Sequence, residues 1–75
     1  MNLRLKELRS EKKITQEQAG KIIFVNQSMY SRYENGQLNL PLEAAVKFAE
    51  FYGTSVDYIA GLTDIPEPYA KSTRK

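Results

Sequence analysis

Three side chains within the stretch VNQSMYSRYENG, Val25 to Gly36, bring hydrogen-bonding chemistry to one short segment: Gln27, Ser28 and Arg32. An amide and a guanidinium each set their polar groups in a plane, so each can hold a flat partner by two parallel hydrogen bonds. A serine hydroxyl donates or accepts without commitment. This is the chemistry of recognition, not of bond breaking. The chain has no histidine and no cysteine, which removes the usual zinc ligands, the commonest general base, thiolate chemistry and disulfides. Glu43, Glu50 and Asp57 have the placement of a solvated helical face. Without a convergent base, metal ligand or phosphate-binding loop they make no catalytic pair, so no enzyme, cofactor or metal site is expected.

The elements that would position the three side chains can be read from periodicity and caps. At 100° per residue, Tyr30 and Tyr33 lie within about 60° of each other, whereas Ser28 and Arg32 fall about 160° from Tyr30 on either side. The tyrosines are expected inside and the polar stripe outside, with Gln27 on the exposed first turn. Asn26 is the natural N-cap of this helix, and Asn35 and Gly36 close it. Upstream, Thr15 and Gln18 have the spacing of a capping box and open a helix through Ala19 and Gly20 to Ile23.

A first helix in LRLKELRSEKK places Arg9 beside Leu5 and Leu8. A fourth begins near Pro41, sets Leu42, Ala45, Val46, Phe48, Ala49 and Tyr52 on one face, and stops at Gly53. A fifth, Ser55 to Ala60, buries Val56 and Ile59 and ends at Gly61. The remainder, LTDIPEPYAKSTRK, has two prolines and no period. The expected architecture is therefore all-α: a compact bundle of five short helices over residues 1–62 and a flexible C-terminal tail over 63–75. No segment alternates as a strand does. The second and third helices are separated by a turn of only a few residues, the helix-turn-helix arrangement, in which the second helix of the pair is the one offered to DNA.

Length and charge agree with a small binding domain. Seventy-five residues hold one modest core. The net charge of +2 hides an asymmetry. Residues 1–40 carry seven basic side chains (Arg4, Lys6, Arg9, Lys12, Lys13, Lys21, Arg32) against four acidic ones (Glu7, Glu11, Glu17, Glu34). From Pro41 to Ala70, Lys47 alone faces Glu43, Glu50, Asp57, Asp64 and Glu67. One end can meet a polyanion while the other avoids it. No apolar run approaches the roughly 20 residues of a membrane span, and the N-terminal residues interleave basic and leucine side chains, unlike a secretory signal. A soluble, cytoplasmic protein is expected.

The stretch TQEQAGKIIFVNQSMYSRYENG, Thr15 to Gly36, resembles without gaps the helix-turn-helix core of the Cro-like phage repressors and xenobiotic-response-element regulators, a lambda repressor-like DNA-binding fold. The likeness extends from Leu5 through TSVDYIAGLTD. It implies a small prokaryotic or phage transcriptional regulator, most simply a repressor, binding double-stranded DNA as a homodimer on two-fold related half-sites. Gln27, Ser28 and Arg32 match positions that contact bases in the major groove. Arg32 has the geometry to hold guanine O6 and N7, and Gln27 that to hold adenine N6 and N7. Gln16 matches a phosphate contact at a helix N-terminus, and Asn26, Asn35 and Gln37 match further backbone contacts. Arg9 and Glu34 resemble a buried ion pair tying the first helix to the end of the third.

Two departures from the family pattern bear on the turn and the approach of the two helices. Phe24 stands where a glycine is usual in the turn, so either the turn takes another path or the ring is packed well enough to offset a left-handed backbone. Gly20 stands where alanine is usual, keeping the two helices close at a cost to helix propensity of about 1 kcal/mol. Ile22, apolar where the family is usually charged, marks a candidate contact with another chain. Tyr30, Tyr33 and Tyr52 have core spacing, leaving Tyr58 and Tyr69 free. The second copy of a dimer would meet the region of Tyr58, Leu62 and Ile65, the tail, or only the DNA. The rival reading is a protein-interaction module, antitoxin-like or an anti-repressor, whose exposed face would be apolar at positions 28 and 32.

Overall fold

The computed structural model describes residues 3–69. Its helices run in the order α1 Leu5–Lys12, α2 Gln16–Ile22, α3 Gln27–Glu34, α4 Leu42–Tyr52 and α5 Val56–Ala60, and among the described residues there is no strand.

Local chemistry sets these boundaries. Thr15 accepts a hydrogen bond from the Gln18 amide while the Gln18 side chain accepts from the Thr15 amide, a complete capping box at the start of α2. Asn26 Oδ1 accepts from the Met29 amide at 2.8 Å and opens α3, and Ser55 does the same for α5 through the Tyr58 amide. Pro41 precedes α4 as its N-cap, one residue earlier than a first-turn position. Gly53 ends α4 with φ of 66° and so supplies the left-handed conformation that releases the chain toward α5. At the end of α1 that task falls to Lys13, with φ of 57°.

The core gathers Leu5 and Leu8 from α1, Ala19 from α2, Tyr30 and Tyr33 from α3, Phe48, Ala49 and Tyr52 from α4 and Ile59 from α5. Phe48 is its centre, meeting Tyr30 edge-on and Tyr52 face-on with ring centroids 6.0 Å apart in both cases. One expectation for α4 fails. Leu42 is 71% exposed and Val46 also faces out, while Ala44 is buried. Measured from Phe48, Leu42 lies about 120° and Val46 about 160° around the helix, whereas Ala44 lies about 40° away. The packed face follows Phe48 and not the summed hydrophobicity. Val56 and Ile22 are half-buried against the core, so Ile22 is used within its own chain.

Phe24 meets neither expectation for it. The turn keeps the left-handed path, with φ of 61° at Phe24, and the side chain is 83% exposed. The Lys47 ammonium lies 5.6 Å from its ring centroid. Residues 63–69, read from the sequence as the start of a loose tail, carry contacts to the bundle. Arg4 donates to the carbonyls of Tyr58 and Thr63 and pairs with Asp64 at 2.6 Å, its guanidinium stacked 4.2 Å over the Tyr58 ring. Thr54 donates to the Pro66 carbonyl, and the Tyr69 hydroxyl donates to Asp57 at 2.8 Å. Residues 70–75 of that tail lie outside the described residues.

Candidate nucleic-acid interface

The site rests on how closely α2 and α3 approach. A Cβ built on Gly20 would stand 2.8 Å from the Val25 carbonyl oxygen, closer than a methyl group can lie, and 3.3 Å from that of Asn26. The missing side chain lets the turn fold back, and the Val25 amide then donates to the Gly20 carbonyl at 3.0 Å. On its inner side α3 is held by Tyr30, fully buried, and Tyr33. Its outer side therefore stands on a fixed base.

Gln27, Ser28 and Arg32 are all exposed on that outer side. They line one shallow concavity together with Gln16 from α2, Ser31 from α3 and Gln37 from the following loop. Gln37 is drawn in because its amide donates to the Arg32 carbonyl at 2.8 Å, bending the chain back over the end of α3. Asn26 and Asn35 do not line the concavity; they stand at the two ends of α3 as its caps. With Asn26 Oδ1 committed to capping, its Nδ2 is the group left to offer an anion. Ser31 was missed in the sequence, although it stands three residues after Ser28 and four after Gln27, the spacing that puts side chains on neighbouring helical positions. Its hydroxyl accepts from Asn35 Nδ2 at 3.4 Å.

Behind the concavity, Arg9 and Glu34 form an ion pair. Arg9 Nε donates to Glu34 Oε2 at 2.9 Å and Nη2 to Oε1 at 3.2 Å, and Nη1 reaches the Ile14 carbonyl at 3.1 Å. The Glu34 side chain is only 4% exposed. Burial works to raise its pKa, but the hydrogen bonds it receives, led by those of Arg9, outweigh that effect and hold it below the usual carboxylate range. The same bonds raise the pKa of Arg9. Glu34 Oε1 also accepts from Gln16 Nε2 at 3.2 Å, and Gln16 Oε1 in turn accepts from Gln27 Nε2 at 3.4 Å. The pair is thus linked by hydrogen bonds to the outer stripe. The hydroxyls of Tyr30 and Tyr52 are buried with no hydrogen-bond partner within bonding geometry. Burial pushes both phenols up, Tyr52 to about 12, and the nearby Glu34 carboxylate adds to the rise at Tyr30.

Among the described residues, no group of three or more histidine, cysteine, aspartate or glutamate side chains is placed to hold a metal ion, and no helix is long and apolar enough to cross a membrane. A helix pair locked at a tight turn, with a polar stripe on the outer face of its second member, defines the helix-turn-helix proteins. The chain belongs to that family: residues 5–59 match the helix-turn-helix family. It is 45% identical over 65 residues to the uncharacterized HTH-type transcriptional regulator YobD of Bacillus subtilis (strain 168), an alignment that takes in 87% of this chain. The chain spans 58% of the length of that relative. No solved structure matches.

Proposed function

We propose that this chain binds double-stranded DNA sequence-specifically, with α3 in the major groove, and acts as a small prokaryotic or phage transcriptional regulator of the repressor type. The observation that carries this reading is the exposed row Gln27, Ser28 and Arg32 on a helix whose opposite side is locked by Tyr30 and Tyr33. Arg32 and Gln27 each suit a base edge that offers two hydrogen-bonding groups, and Ser28 adds a contact that tolerates several bases. Gln16, Asn26, Asn35 and Gln37 surround the row with donors for phosphate oxygens, which fix register without reading sequence. The polar character of positions 28 and 32 speaks against a face built for a protein partner.

Because one such helix reads only a few base pairs, the chain acts as a homodimer, at least on DNA, over half-sites about 34 Å apart. The setting is the cytoplasm. No metal, cofactor or catalytic step takes part.

Titration with duplex DNA at several salt concentrations tests the reading. Affinity should fall linearly on a log–log plot, with a slope near −0.9 for each neutralised phosphate. Arg32→Ala should relax preference at one base position at a cost of about 1–3 kcal/mol, while Gln37→Ala should weaken binding to all sequences alike. Equal loss on every sequence from both variants would overturn the division of roles. Sedimentation as a monomer even on operator DNA would remove the dimer.

A further inference from the structure

We infer that Glu34 is a positioning residue that sets which way the Gln16 and Gln27 amides point, so that a buried carboxylate selects the hydrogen-bonding pattern Gln27 shows to a base. The inference rests on the proposed reading of DNA by Gln27 and adds what dictates its preference.

An amide is nearly symmetric in shape but opposite in chemistry at its two ends, so an unconstrained glutamine can offer an acceptor or a pair of donors to the same site. Glu34 removes that freedom by a rule of polarity. Its carboxylate, held ionised by Arg9, accepts hydrogen bonds and has no proton to give. Gln16, lying against Oε1 at 3.2 Å, can answer only with its NH2 group. The planar amide then turns its oxygen the other way, where it accepts from Gln27 Nε2 at 3.4 Å. Gln27 is thereby fixed with one N–H directed back to Gln16. It keeps one N–H and its oxygen for an outside partner.

That remaining pattern, one donor and one acceptor, complements adenine, which shows an N7 acceptor and an N6 donor in the major groove. It fits guanine poorly, because guanine shows two acceptors, N7 and O6. Were Gln16 reversed, its NH2 would face Gln27, and Gln27 would turn its oxygen inward and present both donors outward. Guanine would then fit as adenine does now. The base preference at this position is set three side chains away, in the pair that joins α1 to the end of α3.

The test uses the 75-residue chain, a library of duplexes randomised over the binding site, and sequencing of the bound fraction. Gln27→Ala first identifies the base position that depends on Gln27, and Arg32→Ala identifies an independent reference position. In the unaltered chain, adenine should be preferred over guanine at the Gln27 position. Glu34→Gln replaces a pure acceptor by a group that can donate to Gln16, and the adenine-over-guanine ratio should fall about fivefold or more, the worth of one hydrogen bond. Gln16→Met leaves the Arg9 pair intact, so the fold is kept even if Glu34→Gln loses it. This variant should lower the same ratio while leaving preference at the Arg32 position unchanged.

An unchanged ratio in Gln16→Met, or in a folded Glu34→Gln, overturns the inference, as does an equal loss at both positions, which would mean a merely structural role. A preference for guanine at the Gln27 position of the unaltered chain overturns it as well. If Gln27→Ala erases no preference at all, Gln27 reads no base, and the proposed site assignment fails together with the inference. If Gln27→Ala erases a preference that Gln16→Met retains, the site assignment stands and only the inference falls.

Discussion

Phe24 is the sharpest point at which to test the backbone of the turn. Its φ of 61° lies in the left-handed region, and its ring is 83% exposed, so little burial offsets the strain. Replacing it by glycine changes two things together: the strain is relieved and the ring's few contacts, including the approach to Lys47, are lost. Phe24→Ala loses the same contacts but keeps the strain, so the comparison of Phe24→Gly with Phe24→Ala isolates the backbone. The left-handed conformation costs a side-chain-bearing residue about 1–2 kcal/mol. Glycine gives back about 0.4–1 kcal/mol of that through the greater freedom of its unfolded chain. The glycine variant should therefore be more stable than the alanine variant by about 0.5–1 kcal/mol, which for a domain of this size raises Tm by roughly 2–8 °C. At an ordinary position the order is the reverse, so the sign alone decides. Urea denaturation of the two variants under one set of conditions gives the answer. An alanine variant as stable as the glycine variant, or more so, would refute the left-handed turn at position 24 and the strain argued from it.

Gly20→Ala should destabilise the protein in the same denaturation assay, although alanine gains about 1 kcal/mol of helix propensity, because its methyl would meet the Val25 carbonyl 2.8 Å away; a stabilised variant would show that the two helices separate at little cost. Arg9→Ala should cost about 3 kcal/mol, the low end for a broken buried pair because the arginine is itself partly exposed; an unchanged thermal melt would contradict this. Glu34 has a folded-state pKa below its unfolded value, so the stability it contributes is present above the unfolded pKa of about 4.3 and is lost as pH falls through the folded pKa; Arg9→Ala should flatten that acid limb of the stability profile. Tyr30 and Tyr52 are shifted the other way, so what their neutral forms contribute is complete below pH about 10 and is lost as pH rises through the folded values, about 12 for Tyr52; comparison of tyrosinate absorbance with Tyr30→Phe and Tyr52→Phe variants should place both phenols above pH about 10, and ionisation of either at or below that pH in a folded chain would contradict it.

The helices were legible in the sequence where a local rule acts alone. The Thr15 and Gln18 box, the Asn26 cap and the Tyr30–Tyr33 spacing each depend on residues within one turn of one another. Their structures follow from backbone donors left over at helix ends and from the 100° step. What failed needed knowledge of a partner in space. The hydrophobicity of Leu42 alone points to the core, but Phe48 sets the packed face and leaves Leu42 outside it. Arg4 read only as one more positive charge, yet it holds Tyr58, Thr63 and Asp64, more than 50 residues away in sequence. Its binding to carbonyls leaves no periodic trace, so an aperiodic stretch such as 63–69 looks loose from its own composition. In the candidate site, the outward direction of Ser28 and Arg32 follows from geometry, whereas Ser31 lies only about 100° from the buried Tyr30, on the flank of α3, where the helical step assigns it to neither side. Neither the Gln16–Glu34 nor the Gln16–Gln27 hydrogen bond could be read before the α2–α3 distance was known.

The two sides of α3 answer to different demands, and this bears on which of its residues can vary. Gln27, Ser28 and Arg32 are exposed, so substitutions there disturb few internal contacts and can alter the outer chemistry at little cost to the fold. Tyr30 and Tyr33 are bound to the core and admit few alternatives. Glu34 belongs to both sides: it closes the α3 end against α1 through Arg9, and it reaches the outer stripe through Gln16. A change at Glu34 must therefore be compensated at Arg9 to preserve the fold and at Gln16 or Gln27 to preserve the outward pattern. The residue least able to vary freely is not the one nearest the solvent but the one whose polarity two separate neighbours have to match.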